Sequence, residues 1–229
     1  KRFMMGEEFI HNKKRYCLWL VDAQPSEIKK IPPIYERIKK CREDRLKGAP
    51  DRQKLSETPH LFRETLNPKK FIAIPVVSSG IRKYIPIDFL DDSVIAGNKL
   101  FIIPNSNLFL FGILTSSVHM AWTKIFCGYL GTSISYSATI IYNNFPFCDA
   151  TEENVKKISA TAEKILYARK KFAESSLADL YDENLMPREL RLAHKKNDAA
   201  VMSAYGFAEN LSENEILSAL IEMYKNLTG

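Results

Sequence analysis

A chain of 229 residues, 45% hydrophobic and 26% charged, is composed like an ordinary globular protein and can bury the core of one large or two small domains. Its longest apolar run, residues 108–114, falls far short of the roughly 18 residues of a membrane span, so a soluble protein without a membrane partner is expected. The net charge of +6 gathers in residues 1–70, where 18 Lys+Arg oppose 10 Asp+Glu. Such an excess attracts polyanions, nucleic acid foremost, unless it is only a solvated helix face.

The chain opens on KRFMMGEEFI, with no initiator Met, signal-peptide pattern or arginine-rich transit segment, and reads as a piece of a longer protein. Residues 16–21, YCLWLV, are a continuous apolar run expected to form a buried strand. Ser26 is placed to cap a helix that Pro32-Pro33 interrupt. Beyond them Ile34, Ile38 and Cys41 share one face, with Arg37, Lys39, Lys40, Arg42 and Arg45 on the others, which predicts a basic amphipathic helix. Residues 47–70 are polar, proline-punctuated and read as irregular.

Next, FIAIPVVSSG and IRKYIPIDFL read as two β-branched strands joined by a hairpin turn at Ser78-Ser79-Gly80, with Ile81, Ile85, Ile87 and Phe89 on one parity. VIAGNKLFIIP supplies a third strand with Gly97-Asn98 as its turn signal. Asn107 caps a predicted helix in which Phe111, Leu114, Val118, Ala121, Trp122 and Ile125 recur at helical spacing, and Gly128 is read as its C-terminal cap. Residues 135–142 are expected to form another strand. After Asp149 the segments turn helical: Thr151 opens one helix, Pro187 a second, and Ser212 with Glu215 makes a capping box for a third. These helices carry 11 Lys+Arg against 13 Asp+Glu.

Chemistry-bearing motifs are absent. Neither a dinucleotide glycine loop, a phosphate loop, a zinc-helix motif nor a nucleophile elbow is present. Cys17, Cys41, Cys127 and Cys148 are widely spaced and read as reduced thiols of a cytoplasmic protein, and no metal site is expected. His119 reads as a packed or surface histidine and not a ligand or base, and Asp91-Asp92 as a solvated turn. The stretch Asn143-Asn144-Phe145-Pro146-Phe147 is a near miss of the Asn/Asp-Pro-Pro-Tyr/Phe motif with which amino-group DNA methyltransferases hold a base. Without a complete motif or a cofactor loop it is read as structural, its phenylalanines anchoring a strand exit.

Taken in order, RYCLWLVD (15–22), IPVVSSGIRKYIPIDFL (74–90), LFLFGILTSSVHMAWTKIFCG (108–128), YSATIIYNNFPF (136–147), SLADLYDENLMPRELRLAH (176–194) and NDAAVMSAYGF (197–207) resemble the C-terminal third of MmeI-like DNA methyltransferases, large single-chain restriction-modification enzymes. The resemblance implies an α+β fold: a strand-rich mixed α/β target recognition domain over 1–149, then a small all-α domain over 150–229. It also implies that the catalytic residues and the S-adenosylmethionine site lie in upstream domains of the parent chain, leaving this piece without a cofactor. The implied partners are double-stranded DNA and the upstream methyltransferase domain.

A recognition domain must read base edges from turns and strand ends. Two stretches fit: Ser78, Ser79, Arg82 and Lys83 in the first, and the glycine-bracketed loop with Thr132, Ser133 and Ser135 in the second. In the family this sequence resembles, basic residues are usual in the first and charged residues frequent in the second, where this sequence has hydroxyls. Lys99 is a further candidate for a guanine contact, and Lys39, Lys40 and Arg42 for phosphates. The alternatives are a non-catalytic protein-interaction module and a separate specificity subunit of a multi-subunit restriction system.

Overall fold

The computed structural model describes all 229 residues. In chain order the elements are β1 (Arg2–Met4), α1 (Gly6–Ile10), α2 (Pro25–Lys29), α3 (Pro32–Leu46), α4 (Pro50–Lys54), a 3-10 turn (Leu55–Glu57), β2 (Lys70–Pro75), β3 (Val77–Ser79), β4 (Asp88–Asp91), β5 (Val94–Ala96) and β6 (Leu100–Pro104). There follow α5 (Leu108–Leu114), α6 (Ser117–Phe126), β7 (Gly128–Leu130), β8 (Ser133–Ser135), a π-type turn (Ala138–Tyr142), α7 (Glu152–Lys170), α8 (Leu177–Leu180), α9 (Arg188–Ala204) and α10 (Glu213–Thr228). They gather into two compact units: Lys1 with Tyr16–Asn67, and Arg2–Arg15 with Pro68–Gly229.

In the smaller unit α2 starts at Pro25, one residue before the expected cap. Gln24 is the capping residue, its N–H donating to Glu27 Oε2 (3.1 Å). Pro32 and Pro33 open α3, where a missing N–H costs nothing, so the interruption becomes a helix start. Arg45 donates to the carbonyls of Leu55, Thr58 and Leu61 (2.6, 2.9 and 2.7 Å) and so fixes the polar stretch after α3, part of which is helical rather than irregular. Residues 16–21 form no buried strand. Tyr16 makes an isolated bridge and is 71% exposed, while Trp19 packs on Phe62 (5.6 Å between rings). A strand needs a hydrogen-bonded neighbour, and none lies along residues 18–21.

The larger unit holds three small sheets: β1 parallel to β5, the antiparallel order β4-β2-β6, and the antiparallel order β3-β8-β7. The hairpin expected at Ser78-Ser79-Gly80 does not form. Val76 instead carries the chain from one sheet to another, its N–H donating to the Lys99 carbonyl (3.1 Å) and its carbonyl accepting from Tyr136 N–H (2.8 Å). Residues 81–87 are irregular: Tyr84, Ile85 and Ile87 are buried, Ile81 is 67% exposed, and Pro86 has no N–H to give a ladder.

Asn107 caps as expected, accepting from Leu110 N–H (2.9 Å), but the predicted single helix is two helices bent by 54° at Thr115-Ser116. Ser116 Oγ donates to the Ile113 carbonyl (2.7 Å) and accepts from His119 N–H (3.3 Å), ending one helix and capping the next. No single helix is long and apolar enough to cross a membrane. Gly128 is not a helix cap; Cys127 closes α6 in extended conformation and Gly128 opens β7. Of the expected strand over 135–142 only its start is sheet, and the rest is the π-type turn, whose Thr139 and Ile140 carbonyls accept from Asn144 Nδ2 (2.8 and 3.0 Å). Phe145 is buried edge-to-face against His119 and Phe147 (4.9 and 5.0 Å). The NNFPF stretch therefore caps a turn and fills the core.

Thr151 and the Ser212/Glu215 box cap their helices as read, and Pro187 immediately precedes α9. These helices share one core with α5, α6 and β2, so Ile158, Ile165, Leu190 and Leu220 are buried with Phe111, Leu114 and Trp122. Polar groups cross the same packing. The buried guanidinium of Arg169 donates to the Ile87 carbonyl (2.7 Å) and the Tyr181 hydroxyl (2.9 Å from Nε) and lies 3.5 Å from Asp88 Oδ1. The Tyr181 hydroxyl also shares a hydrogen bond with His194 Nε2 (2.8 Å).

Two outcomes follow for stability. Arg169→Met strands the Ile87 carbonyl and the Tyr181 hydroxyl, and urea denaturation should show a loss of about 3 kcal/mol. Burial pushes the His119 pKa from its ordinary 6.5 down to about 3; burial first, and then the Arg169 charge, hold His194 well below the usual range. Both stay neutral when folded but titrate near 6.5 when unfolded. Their contribution to stability is complete above that value and is lost as pH falls from about 6.5 toward 3. Urea midpoints measured from pH 7.5 to 4.5 should fall, and His119→Gln should flatten the fall.

Candidate nucleic-acid interface

The β3-β8-β7 sheet brings the two candidate stretches together. Ser79 pairs with Ser133, Ser78 with Ile134 and Val77 with Ser135, while β7 and β8 are joined by the two-residue turn Gly131-Thr132. Gly131 has φ 60° and Thr132 has no positive φ, the II′ pattern that demands glycine at its first position. Gly80 N–H donates to the Thr132 carbonyl (3.1 Å), and a Cβ on Gly80 would stand 2.5 Å from that oxygen. Two stretches about fifty residues apart in sequence thus meet at one hairpin.

Directly paired residues share a face, and neighbours along a strand alternate. Ser79, Ser133 and Ser135 therefore lie on one face, with Leu130 opposite Ser133; Ser78 and Ile134 lie on the other, both buried. Thr132 is exposed at the turn. Arg82 reaches back to Ser78, its Nη1 donating to Oγ at 3.3 Å, and half-burial lowers its pKa from the ordinary value against the opposing pull of Asp182. Lys83 belongs elsewhere: its ammonium lies over the Tyr84 ring (5.5 Å) and lines a cavity of about 380 Å³ with Lys195, Asp198 and Glu209. Lys99 stands exposed before β6, beside Gly6 and Val77.

Tyr129 and Leu130 on β7 are 63% and 69% exposed, and the sequence reading passed over them. Their signal was available in Gly128-Tyr129-Leu130-Gly131, two large residues between glycines in a polar loop. Tyr129 is tethered, its hydroxyl donating to the Lys124 carbonyl (2.9 Å), whereas Leu130 projects beside the serines.

Residues 1–149 match the MmeI target recognition domain and residues 150–229 the MmeI C-terminal domain. The chain belongs to the MmeI family. It is 36% identical over 230 residues to DNA methyltransferase A of Bacillus subtilis (strain 168), covering 100% of this chain and 26% of that protein. Against the solved Type IIL restriction-modification enzyme MmeI in complex with DNA it superposes with a TM-score of 0.95 at 40% identity, over 99% of this chain and 31% of that one. The chain thus spans about a quarter to a third of these MmeI-family relatives.

The remaining candidates lie on α3 of the smaller unit. Lys39 is held by Glu36 (2.9 Å) and lies over the Tyr35 ring (4.7 Å), which raises its pKa; Lys40 and Arg42 are exposed. Arg45 is occupied by loop carbonyls. If all three of Lys39, Lys40 and Arg42 touch phosphates, replacing them with Ala should flatten the slope of log affinity against log salt by up to about 3. The pairing of Lys39 makes a change of about 2 the expected result. Duplex DNA titrations from 50 to 300 mM salt measure it, and an unchanged slope makes α3 a solvated face.

Proposed function

We propose that residues 1–149 read duplex DNA sequence for a restriction-modification adenine methyltransferase, and that residues 150–229 brace that reading surface. The observation that carries this is the pairing of Val77–Ser79 with Ser133–Ser135, which gathers the half-buried Ser79, Ser133 and Ser135 on one sheet face beside the exposed Thr132. Membership of a family whose solved relative was determined with DNA supports it.

Methyl transfer is assigned to the upstream part of the parent. S-adenosylmethionine carries a sulfonium and an ammonium against one carboxylate, and a cavity of about 620 Å³ in this chain is lined by Arg2, Lys70, Arg169 and Lys170 with Asp88 as its acid. An excess of cations opposes a cofactor of net positive charge, and no glycine-rich turn follows a strand to hold it. The residues do not fit the group. This piece positions DNA, while its parent supplies catalysis in a bacterial cytoplasm.

Hydroxyls donate or accept and discriminate weakly alone, whereas Leu130 offers apolar contact of the kind a thymine methyl favours. Arg82, which hydrogen-bonds Ser78, is our candidate for a guanine contact, and it must leave that bond to make one. Lys99 remains a candidate of the same chemistry, whereas Lys83 lines a different cavity. In the full-length parent, Thr132→Arg or Ser133→Glu should change the methylated motif at one position by about 1–3 kcal/mol of discrimination, with the rate on the preferred site largely kept. Genome-wide methylation mapping in cells carrying each variant reads the outcome. Active variants that all keep the original motif would show that this hairpin reads no base.

A further inference from the structure

The apolar run at residues 16–21 is left incomplete in a specific way. Lys1 and Cys17 exchange both bonds of a pair, the terminal amino group of Lys1 donating to the Cys17 carbonyl at 3.0 Å and Cys17 N–H to the Lys1 carbonyl at 2.9 Å. Such an exchange defines a hydrogen-bonded antiparallel pair. Beyond it Leu18, Trp19 and Val21 make no backbone hydrogen bond, and Leu20 only accepts one from Ala23. The unit they belong to has hardly any core, since Ile28 and Ser56 alone are buried within Tyr16–Asn67. An open, mostly apolar groove of about 610 Å³, lined by Leu18, Leu20, Ile34, Ile38 and Cys41 with Arg37, Arg45 and His60 among its polar members, runs through it.

We propose that in the parent chain the residues immediately preceding Lys1 continue this ladder as an antiparallel strand along residues 18–21 and close the groove. The inference rests on the chain being part of a longer enzyme, as its 26% and 31% shares of its relatives support. The Lys1–Cys17 pair fixes the register. The residue just before Lys1 faces Leu18, the second before faces Trp19, the third faces Leu20 and the fourth faces Val21.

Three consequences follow from that register. Hydrogen-bonded pairs alternate, so Trp19 and Val21 bond to the added strand while the amides of Leu18 and Leu20 point away from it. Paired residues share a face, so the first and third residues before Lys1 lie on the groove side with Leu18 and Leu20 and are apolar. The strand also ties the smaller unit to the polypeptide arriving from the catalytic part, so its helix α3 is carried by an ordered connection instead of a loose linker. The run YCLWLV is then the buried strand its composition announces, with its partner outside these 229 residues.

The test is residue-resolved amide hydrogen exchange on the full-length parent without DNA or cofactor. Corrected for intrinsic rates, Trp19 and Val21 should exchange at least about tenfold more slowly than Leu18 and Leu20. Four amides that exchange alike, or the opposite alternation, would overturn the proposal. Because DNA is absent, failure here leaves the base-reading proposal standing, and an unchanged methylation motif leaves this one standing. As a second measurement, a cysteine placed just before Lys1 should oxidise onto Leu18→Cys, a non-hydrogen-bonded pair whose Cα separation of about 4.5 Å suits a disulfide, and not onto Trp19→Cys. Equal bridging to both positions would count against the register.

Discussion

A guanidinium cannot shed its proton, so burying Arg169 obliges the fold to surround it with acceptors. Those acceptors come from both sides of the packing: the Ile87 carbonyl and Asp88 from the segment entering β4, and the Tyr181 hydroxyl from the helical part. Ile87 lies where the chain has no sheet neighbour, so the helix supplies the donor that a strand would have supplied. α9 does the same at the bend between α5 and α6. Asn197 Nδ2 donates to the Gly112 carbonyl in the last turn of α5 (2.8 Å), and Asp198 Oδ1 accepts Ser117 N–H in the first turn of α6 (2.8 Å). Both are groups that a helix end leaves without an internal partner. Burial raises the Asp198 pKa, opposed by its bonds from Tyr84 and Ser117.

The bend matters because α6 leads directly into β7. Lys124 near the end of α6 is held to Glu213 of α10 (2.7 Å), and Trp122 packs on Tyr224 (5.8 Å). From that fixed end the hairpin projects, while Ile134 is buried in the main core and anchors the strand that carries Ser133 and Ser135. Alternation along β8 does the rest: seating Ile134 inward turns both serines outward. The helices after residue 150 are therefore tied to the candidate reading surface through packing, although their own sequence carries little attraction for phosphate.

Element type was legible in the sequence wherever one local signal was sufficient. Asn107, Thr151 and Ser212 cap helices because their side chains meet backbone N–H groups three residues on. Periodicity placed Phe111, Leu114, Val118 and Trp122 on a helical core but could not show the bend, since the groups that satisfy it, Asn197 and Asp198, lie some eighty residues later. Strands failed for the same reason. Residues 81–87 are apolar enough for a strand yet have no neighbour to pair with, and residues 138–142 satisfy their backbone in a tight turn held by Asn144. The candidate site was legible as two separate loops; that Ser79 faces Ser133 is a long-range pairing that no local pattern contains.

The same separation clarifies how charge and specificity divide on the proposed reading. The basic excess lies in residues 1–70, whereas the hairpin that carries Thr132, Ser133 and Ser135 has no charged residue from Ile125 to Phe147. Phosphate attraction is long-ranged and tolerant of position, so it can be spread over lysines and arginines on flexible stems. Base reading is short-ranged, and a hydroxyl discriminates only when its partner's geometry is fixed. A two-residue turn with glycine at its strained position, a close approach at Gly80 and a buried Ile134 provide that fixity. On the proposed reading, exchanging one uncharged hairpin side chain for another leaves the phosphate attraction of residues 1–70 in place, so specificity can alter there with the long-range part of binding kept.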